Sequence, residues 1–324
     1  MMNPINQSTA WTGILLPVSA KLCLRCSVSV VLLTLLLTET VSAEPAADAL
    51  PTQGRVSVGQ ASITQQQSDM TVTQSSDKAI IDWQSFNIGK QAHVDYQQPG
   101  SQSVTLNRVL SHDPSQIYGR LTANGQVYLV NPNGVLFAPG SQVDVGGMVA
   151  TTQNISNEDF LAGKNTFSRN GAQGSVINQG EIKAHNGGTV ALLSPNVSNQ
   201  GLIVAQQGDV VLAGGDKVTL QAGANGHLQI AVDPATVNSL IENQQLIKAD
   251  GGQVIMTTAA ASSVWSNVVS NTGTIEAKEM AGQAGKVVLS ADSQHGEVQI
   301  GGLIDVSGQT AAGHVVAEAH TVTH

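Results

Sequence analysis

Charge and aromatic rings are scarce in this sequence: 11% of its 324 residues are charged, against about 25% in an ordinary soluble chain, and 3% are aromatic. At a net charge of −9 there is no positive stripe to meet phosphate, which excludes a basic nucleic-acid binder. The missing charge is replaced by Asn, Gln, Ser, Thr and 33 Gly rather than by long apolar runs, so a membrane bundle is excluded as well. Disorder does not fit either, because Val, Ile and Thr recur along the whole chain. Cysteine is limited to Cys23 and Cys26. That C-x-x-C lacks the second pair a zinc site needs, and it falls inside an N-terminal targeting segment. The chain beyond that segment has no cysteine, cannot be stapled by disulfides, and must be held by backbone ladders and packing. No metal and no cofactor are expected.

The targeting segment is read over residues 1–43. Lys21 and Arg25 precede an apolar run from Val28 to Leu37, and the small residues Val41-Ser42-Ala43 stand before Glu44-Pro45, which is the order of a secretory signal. Cleavage is expected between Ala43 and Glu44, after an unusually long front part. The competing reading is an uncleaved anchor, for which the ten-residue run is too short to span.

Beyond the segment the chain repeats itself. An N-x-x-x-I start followed by G-x-V recurs as Asn178 to Ile182 with Gly188 and Val190, then Asn199 to Ile203 with Gly208 and Val210. Asn243 to Ile247 leads to Gly252 and Val254, Asn271 to Ile275 to Gly285 and Val287, and Ile300 to Ile304 to Gly313 and Val315. The starts lie 21, 44, 28 and 29 residues apart. The longest interval reads as two turns of about 22 residues, and the last two as single turns with short insertions at Lys278–Ala284 and Gln309–Ala312.

Each copy carries runs such as Thr189-Val190-Ala191-Leu192-Leu193 and Asp209-Val210-Val211-Leu212, β-formers bounded by Gly and Asn. Helical repeats are thereby excluded, and no leucine-rich frame recurs. The expected fold is all-β: a single-stranded parallel β-helix, a solenoid of about 11 turns and about 50 Å at about 4.8 Å per turn. Thin aliphatic side chains would stack inside, and Asn would ladder at the corners.

Eight of the ten aromatic residues fall between Trp83 and Phe167, which leaves only Trp11 and Trp265 elsewhere. Residues from about 55 to 170 are therefore built differently, as an N-terminal β cap that shields the first strand edges and merges into the first coils. The domain division is residues 44–170 for cap and first coils and 171–324 for the remaining coils, whose last strand, Val315 to Thr323, ends without a cap. The last coil is expected to fray or self-associate, as in a truncated frame or a minimal module. Within the cap region, Val127-Tyr128-Leu129-Val130 runs into Asn131-Pro132-Asn133-Gly134 and then Val135-Leu136-Phe137. Asn131 can accept a backbone bond as an Asx turn, Pro132 presets its φ, Asn133 tolerates a positive φ and Gly134 completes the bend.

An N-P-N-G between two such strands resembles the secretion domain of two-partner-secretion exoproteins, the filamentous haemagglutinins and especially the high-molecular-weight adhesins. Ile80 to Ile88, with Trp83, Phe86 and Asn87, is similar to that family's I-x-W-x-x-F-N-I segment, and Leu106-Asn107-Arg108-Val109 to its F/L-N-R-V. Gly119 to Val135 and then Gly147 to Thr152 and Ile155 to Phe160 come in the family's order, so the resemblance spans about residues 54 to 320. The family's N-P-N-L motif is not found, which points to the high-molecular-weight branch.

The resemblance implies a right-handed parallel β-helix exported by the Sec route to the cell surface or medium. It implies recognition by an outer-membrane TpsB-type transporter barrel with periplasmic POTRA domains, and a host-surface receptor or glycan as a further partner. It assigns Asn131, Pro132, Asn133 and Gly134 to the secretion motif, with Trp83, Phe86, Asn87, Asn107 and Arg108 supporting the cap. The turn itself has two open roles, partner contact and plain corner formation. The alternative function is a delivery platform whose passenger acquires haem or carries a contact-dependent toxin. A polysaccharide-degrading β-helix enzyme is disfavoured: Glu181, Asp209, Asp216, Asp250 and Glu276 are scattered in coil phase and read as solvated corners, not as an acid pair.

Overall fold

The computed structural model describes residues 43–223 and 226–324. The segment carrying Lys21, Arg25, Cys23, Cys26 and Trp11 lies outside the described residues, as do the first forty-two positions of the expected signal.

Each turn of the chain lays one short strand on each of three long sheets. One coil runs Ser175–Asn178, Glu181–Ala184 and Val190–Leu193, and the next runs Asn196–Asn199, Leu202–Val204 and Asp209–Gly214 in register beside it. Taken in that order, the strands build sheet 1, sheet 2 and sheet 3, of eight, ten and ten strands. The fold is the expected parallel β-helix, with the right-handed connections that parallel strands take. Sheet 3 holds nine parallel strands, hence nine coils and about 40 Å of stack, not eleven.

The discrepancy has one main source. Asn199 pairs directly with Asn243, so the 44-residue interval is a single coil, and its surplus forms an antiparallel hairpin, Lys217–Ala222 with Leu228–Asp233. A third strand, Asn165–Ser168, joins the hairpin to make an outer sheet. This sheet and the five-residue helix Asn157–Leu161 cover the outer face of sheet 3, burying Leu106, Tyr128, Val149, Phe160, Phe167 and Val218 in a second apolar cluster. Sheet 3 is thus apolar on both faces, which is why its strands read as unbroken runs such as Val190-Ala191-Leu192-Leu193.

Inside the coils, identical residues stack. Ile182, Ile203, Ile247 and Ile275 form one column of sheet 2, and all four are fully buried. At the end of sheet 1, Asn178, Asn199, Asn243 and Asn271 stack in register, and each amide Nδ2 donates to the Oδ1 of the next at 2.8 Å. Ile300 occupies the next step, so the amide ladder stops there.

Glycine fills the corner before sheet 3 for a steric reason. A Cβ on Gly188, Gly208 or Gly252 would overlap the carbonyl oxygen of the glycine one coil earlier, Gly146, Gly188 or Gly208. The recurring G-x-V is this column.

Within the three coil sheets, antiparallel strand pairing is confined to the start. Arg55–Val58 pairs with Lys78–Trp83 and Ala61–Gln66 with Asp69–Gln74, closing the first edges of sheets 3 and 2. From there the parallel ladders run without a break past residue 170, and Val135–Phe137 pairs with Val176–Asn178 across that point. The cap is therefore short, and most of the aromatic stretch belongs to the first coils.

Gly208→Ala is expected to lower stability by about 1–3 kcal/mol, the usual cost of overpacking, whereas Gly301→Ala, whose Cβ would meet only Thr272 Cγ2 at 3.8 Å, changes it by less than about 0.5 kcal/mol. Urea denaturation of the two variants measures the contrast.

Candidate recognition site

The N-P-N-G segment is a corner, not a hairpin: it carries the chain from the sheet 3 strand Gln126–Val130 to the sheet 1 strand Val135–Phe137. Asn131 Oδ1 accepts from Asn133 N at 3.0 Å, and Gly134 N donates to the Asn131 carbonyl at 3.0 Å, an Asx turn inside a β-turn. The positive φ falls on Gly134, at +123°, and not on Asn133. Asn133 has another use. Its Nδ2 donates to the Ser111 carbonyl at 2.9 Å, while Asn131 Nδ2 donates to the Asp113 carbonyl and to Ser115 Oγ, both at 3.0 Å. Asn131 is fully buried. Both asparagines thus clamp the preceding coil's corner, and the next coil adds Gly174 N to the Pro132 carbonyl at 3.3 Å. Of the three side chains only the Pro132 ring is exposed, on the wall of a groove of about 380 Å³ shared with Leu110, His112 and Asn170.

Trp83, Phe86 and Asn107 meet inside the first coils. Trp83 and Phe86 pack edge to face, with centroids 5.7 Å apart. Asn107 Oδ1 accepts from Trp83 Nε1 at 2.9 Å and from Tyr96 Oη at 2.6 Å, with all three side chains buried. Burial pushes the Tyr96 hydroxyl well above its ordinary pKa despite the bond to Asn107, so it stays a donor. Tyr128, on the opposite face of sheet 3, is pushed up by burial to about 12, opposed by its bond to Asn165. Asn87 lies apart from this cluster: its Oδ1 accepts from Gln116 N at 2.8 Å, tying the first coil to the next. Arg108 points outward, donating to the Ile155 carbonyl at 3.2 Å and to Asn157 Oδ1 at 2.9 Å with Asp82 at 3.5 Å, which pins the helix insertion to sheet 3. At the expected cleavage point, Ala43 O accepts from Gln116 Nε2 at 3.2 Å and Glu44 faces Lys90 at 3.8 Å.

The acids are not the free corners the sequence suggests. Asp209 is buried under the outer sheet, where it accepts from Leu228 N at 2.6 Å and pairs with His227 Nδ1 at 2.8 Å; burial raises its pKa against those contacts. Asp216 pairs with Arg169 at 2.6 Å. Asp250 and Glu276 share Lys248, and Glu276 also meets Lys278, so Glu276 is held below the usual carboxylate range by Lys248 first. Only Glu181 is exposed. Among the described residues no three His, Cys, Asp or Glu side chains gather into a metal set.

This coil stack, cap and corner coincide with a known module: the model of the TPS secretion domain matches residues 47–306. The chain belongs to that family. A heme/hemopexin-binding protein of Haemophilus influenzae is 35% identical over 289 residues, covering 87% of this chain and 31% of its own length. A second Haemophilus influenzae protein of the same description is 33% identical over 249 residues, covering 69% and 26%. This chain thus spans less than a third of these relatives. The secretion domain of HMW1 from Haemophilus influenzae, a crystal structure, superposes with a TM-score of 0.67 at 29% identity, covering 80% of this chain and 74% of that one. The chain carries a TPS secretion domain whose coil stack is similar to the secretion domain solved for HMW1.

The outer sheet and the Asn107 hub escaped the sequence reading. Alternation in Lys217 to Ala222 and Leu228 to Asp233 around Gly223 and Gly226 was the available signal for the hairpin. Asn107→Leu leaves two buried donors without an acceptor and is expected to cost about 2–5 kcal/mol in chemical denaturation, whereas Pro132→Ala stays within about 0.5 kcal/mol.

Proposed function

We propose that this module is the export address of its protein. The segment of residues 1–43 directs the chain through the Sec route and is removed between Ala43 and Glu44. A TpsB-type transporter receives the chain through its periplasmic POTRA domains, docking an extended segment by strand addition. The coils then build outward from the cap, each templated on the one before. The continuous family match over residues 47–306 carries this reading. Asn131, Pro132, Asn133 and Gly134 form the secretion motif, and Trp83, Phe86, Asn87, Asn107 and Arg108 secure the first coils that present it.

The module acts without catalysis, and its binding of a host-surface receptor or glycan comes after export. A second reading, delivery of a haem-acquiring passenger, is favoured by the heme/hemopexin-binding relatives, of which this chain matches only the secretion-domain portion. A contact-dependent toxin passenger has no such support.

Co-expression with the transporter of the same system tests the proposal. The wild-type chain is expected in the medium, and Asn131→Ala with Asn133→Ala is expected to fall by about tenfold or more and to accumulate in the periplasm. Equal secretion of the double variant removes the corner from recognition, and a wild-type chain that stays behind overturns the export role.

A further inference from the structure

The outer sheet ends on an open edge. Its strands lie in the order Asn165–Ser168, Lys217–Ala222 and Leu228–Asp233, and the last is paired on one side only. Gly223 N donates to the His227 carbonyl at 2.8 Å. By antiparallel alternation Gln229 and Ala231 then bond the strand Lys217–Ala222, and the N–H and C=O of Ile230 and Val232 face the free side. Leu228 is already spent, its N–H on Asp209 Oδ2 at 2.6 Å and its carbonyl on Gln253 Nε2 at 3.0 Å. The open edge thus falls on Ile230 and Val232.

A groove of about 390 Å³ runs beside that edge, between Ile230 and the sheet 3 strands Gln253–Thr258 and Lys286–Ser290. One apolar column crosses the outer face of sheet 3 in register through Val211, Ile255, Val288 and Val316. Val211 and Ile255 are buried, whereas Val288 and Val316 are half-buried, so the cover gives out after Ile255. Leu228 on Gln253 at one end and the bridge of Ala235 to Ala260 at the other set Ile230 level with Ile255, and so with Val288. The two flanks of Val288 differ in charge. Lys286, exposed and without an ion pair among the described residues, stands on one side with His314 in register beside it, and Ser290 stands on the other with the exposed Glu318 beside it. Unpaired main-chain groups next to an uncovered apolar floor fit an extended strand, and the flanks place an acid at the Lys286 end and disfavour one at the Ser290 end.

We propose that this edge takes an extended segment of another polypeptide as a fourth strand of the outer sheet. The sheet is antiparallel throughout, so the added strand runs antiparallel to Leu228–Asp233 and turns inward a sequence of the type Thr-x-Val-x-Glu, with the hydroxyl at Ser290, the aliphatic group over Val288 and the acid at Lys286. A second copy of the chain does not fit. Pairing two such edges would bring both sheets 3 into one layer, where the strands Lys286–Ser290 and His314–Glu318 already fill the space beyond the edge. Here the chain supplies the sheet and the partner supplies the strand, so the site stands apart from the export role.

The peptide Ser-Thr-Thr-Val-Thr-Glu-Ser, acetylated and amidated, is titrated into the purified chain with no transporter present and followed by amide shifts. Saturable binding with a Kd below about 1 mM is expected, with shifts centred on Ile230, Val232 and Val288. N-methylation of the peptide at its second and fourth residues removes the bonds to Val232 and Ile230 and is expected to weaken binding by about tenfold or more. Lys286→Glu, an exchange at an exposed position, is expected to leave the thermal midpoint unchanged, to weaken binding by about fivefold and to favour the peptide carrying Lys in place of Glu. No saturable binding up to about 10 mM, equal binding of the N-methylated peptide, shifts centred elsewhere, an unchanged preference in Lys286→Glu, or a dimer in sedimentation that the peptide dissociates each overturns the proposal. Secretion of the wild type has no part in any of these outcomes, so the two proposals fail separately.

Discussion

Main-chain pairing between coils sets the terms for everything else in this molecule. Strands in a parallel ladder must lie about 4.8 Å apart, so every corner has to advance by that same step. A side chain that fits there is one that bonds its own copy, as the Asn178 to Asn271 amides do, or one that is absent, as in the glycine column from Gly146 to Gly252. The core obeys the same rule, with isoleucine on isoleucine through four coils. Low charge is a consequence, because amides that bond along the axis need no ion pairs to be satisfied. The longest exception is the run Asp250, Lys248, Glu276, Lys278 and Asp305 beside sheet 2, a chain of ion pairs of alternating sign that spans three coils.

The coil architecture was legible because its spacing is periodic. The recurrence of N-x-x-x-I and G-x-V located five coil starts, and the ladder joins those same residues in register. The coil count was less legible, because a period says where an element recurs and not what fills a long interval. Forty-four residues equal two turns by arithmetic, yet the surplus is an outer hairpin, distinguished by strands that cover a sheet already apolar outside.

The site was legible by type and only partly by arrangement. The Asx turn at Asn131 comes from residue chemistry, whereas the clamp of Asn131 and Asn133 on Ser111 to Ser115 depends on which coil lies below. Of the two roles open to the turn, corner formation is in the structure, since its amides are spent inward and only Pro132 is turned out. The acids illustrate the converse. Asp209 looks like a surface residue until the outer sheet, invisible to a repeat search, is laid over it, and Asp216 is spent on Arg169 at the edge of that sheet.

A plain stack of repeats is held only by neighbours, so its coils can open one by one. The outer sheet changes that here. Asn165–Ser168 pairs with Lys217–Ala222, bridging chain positions about fifty residues apart, and Lys78 Nζ reaches over to the Phe160 carbonyl at 2.9 Å. These ties bind the early coils to the later ones from outside the helix. A chain that folds from its N-terminus must therefore hold its first coils uncovered until Asp233 has arrived, after which the covered part closes as a single block and only the coils beyond it stay free to act singly.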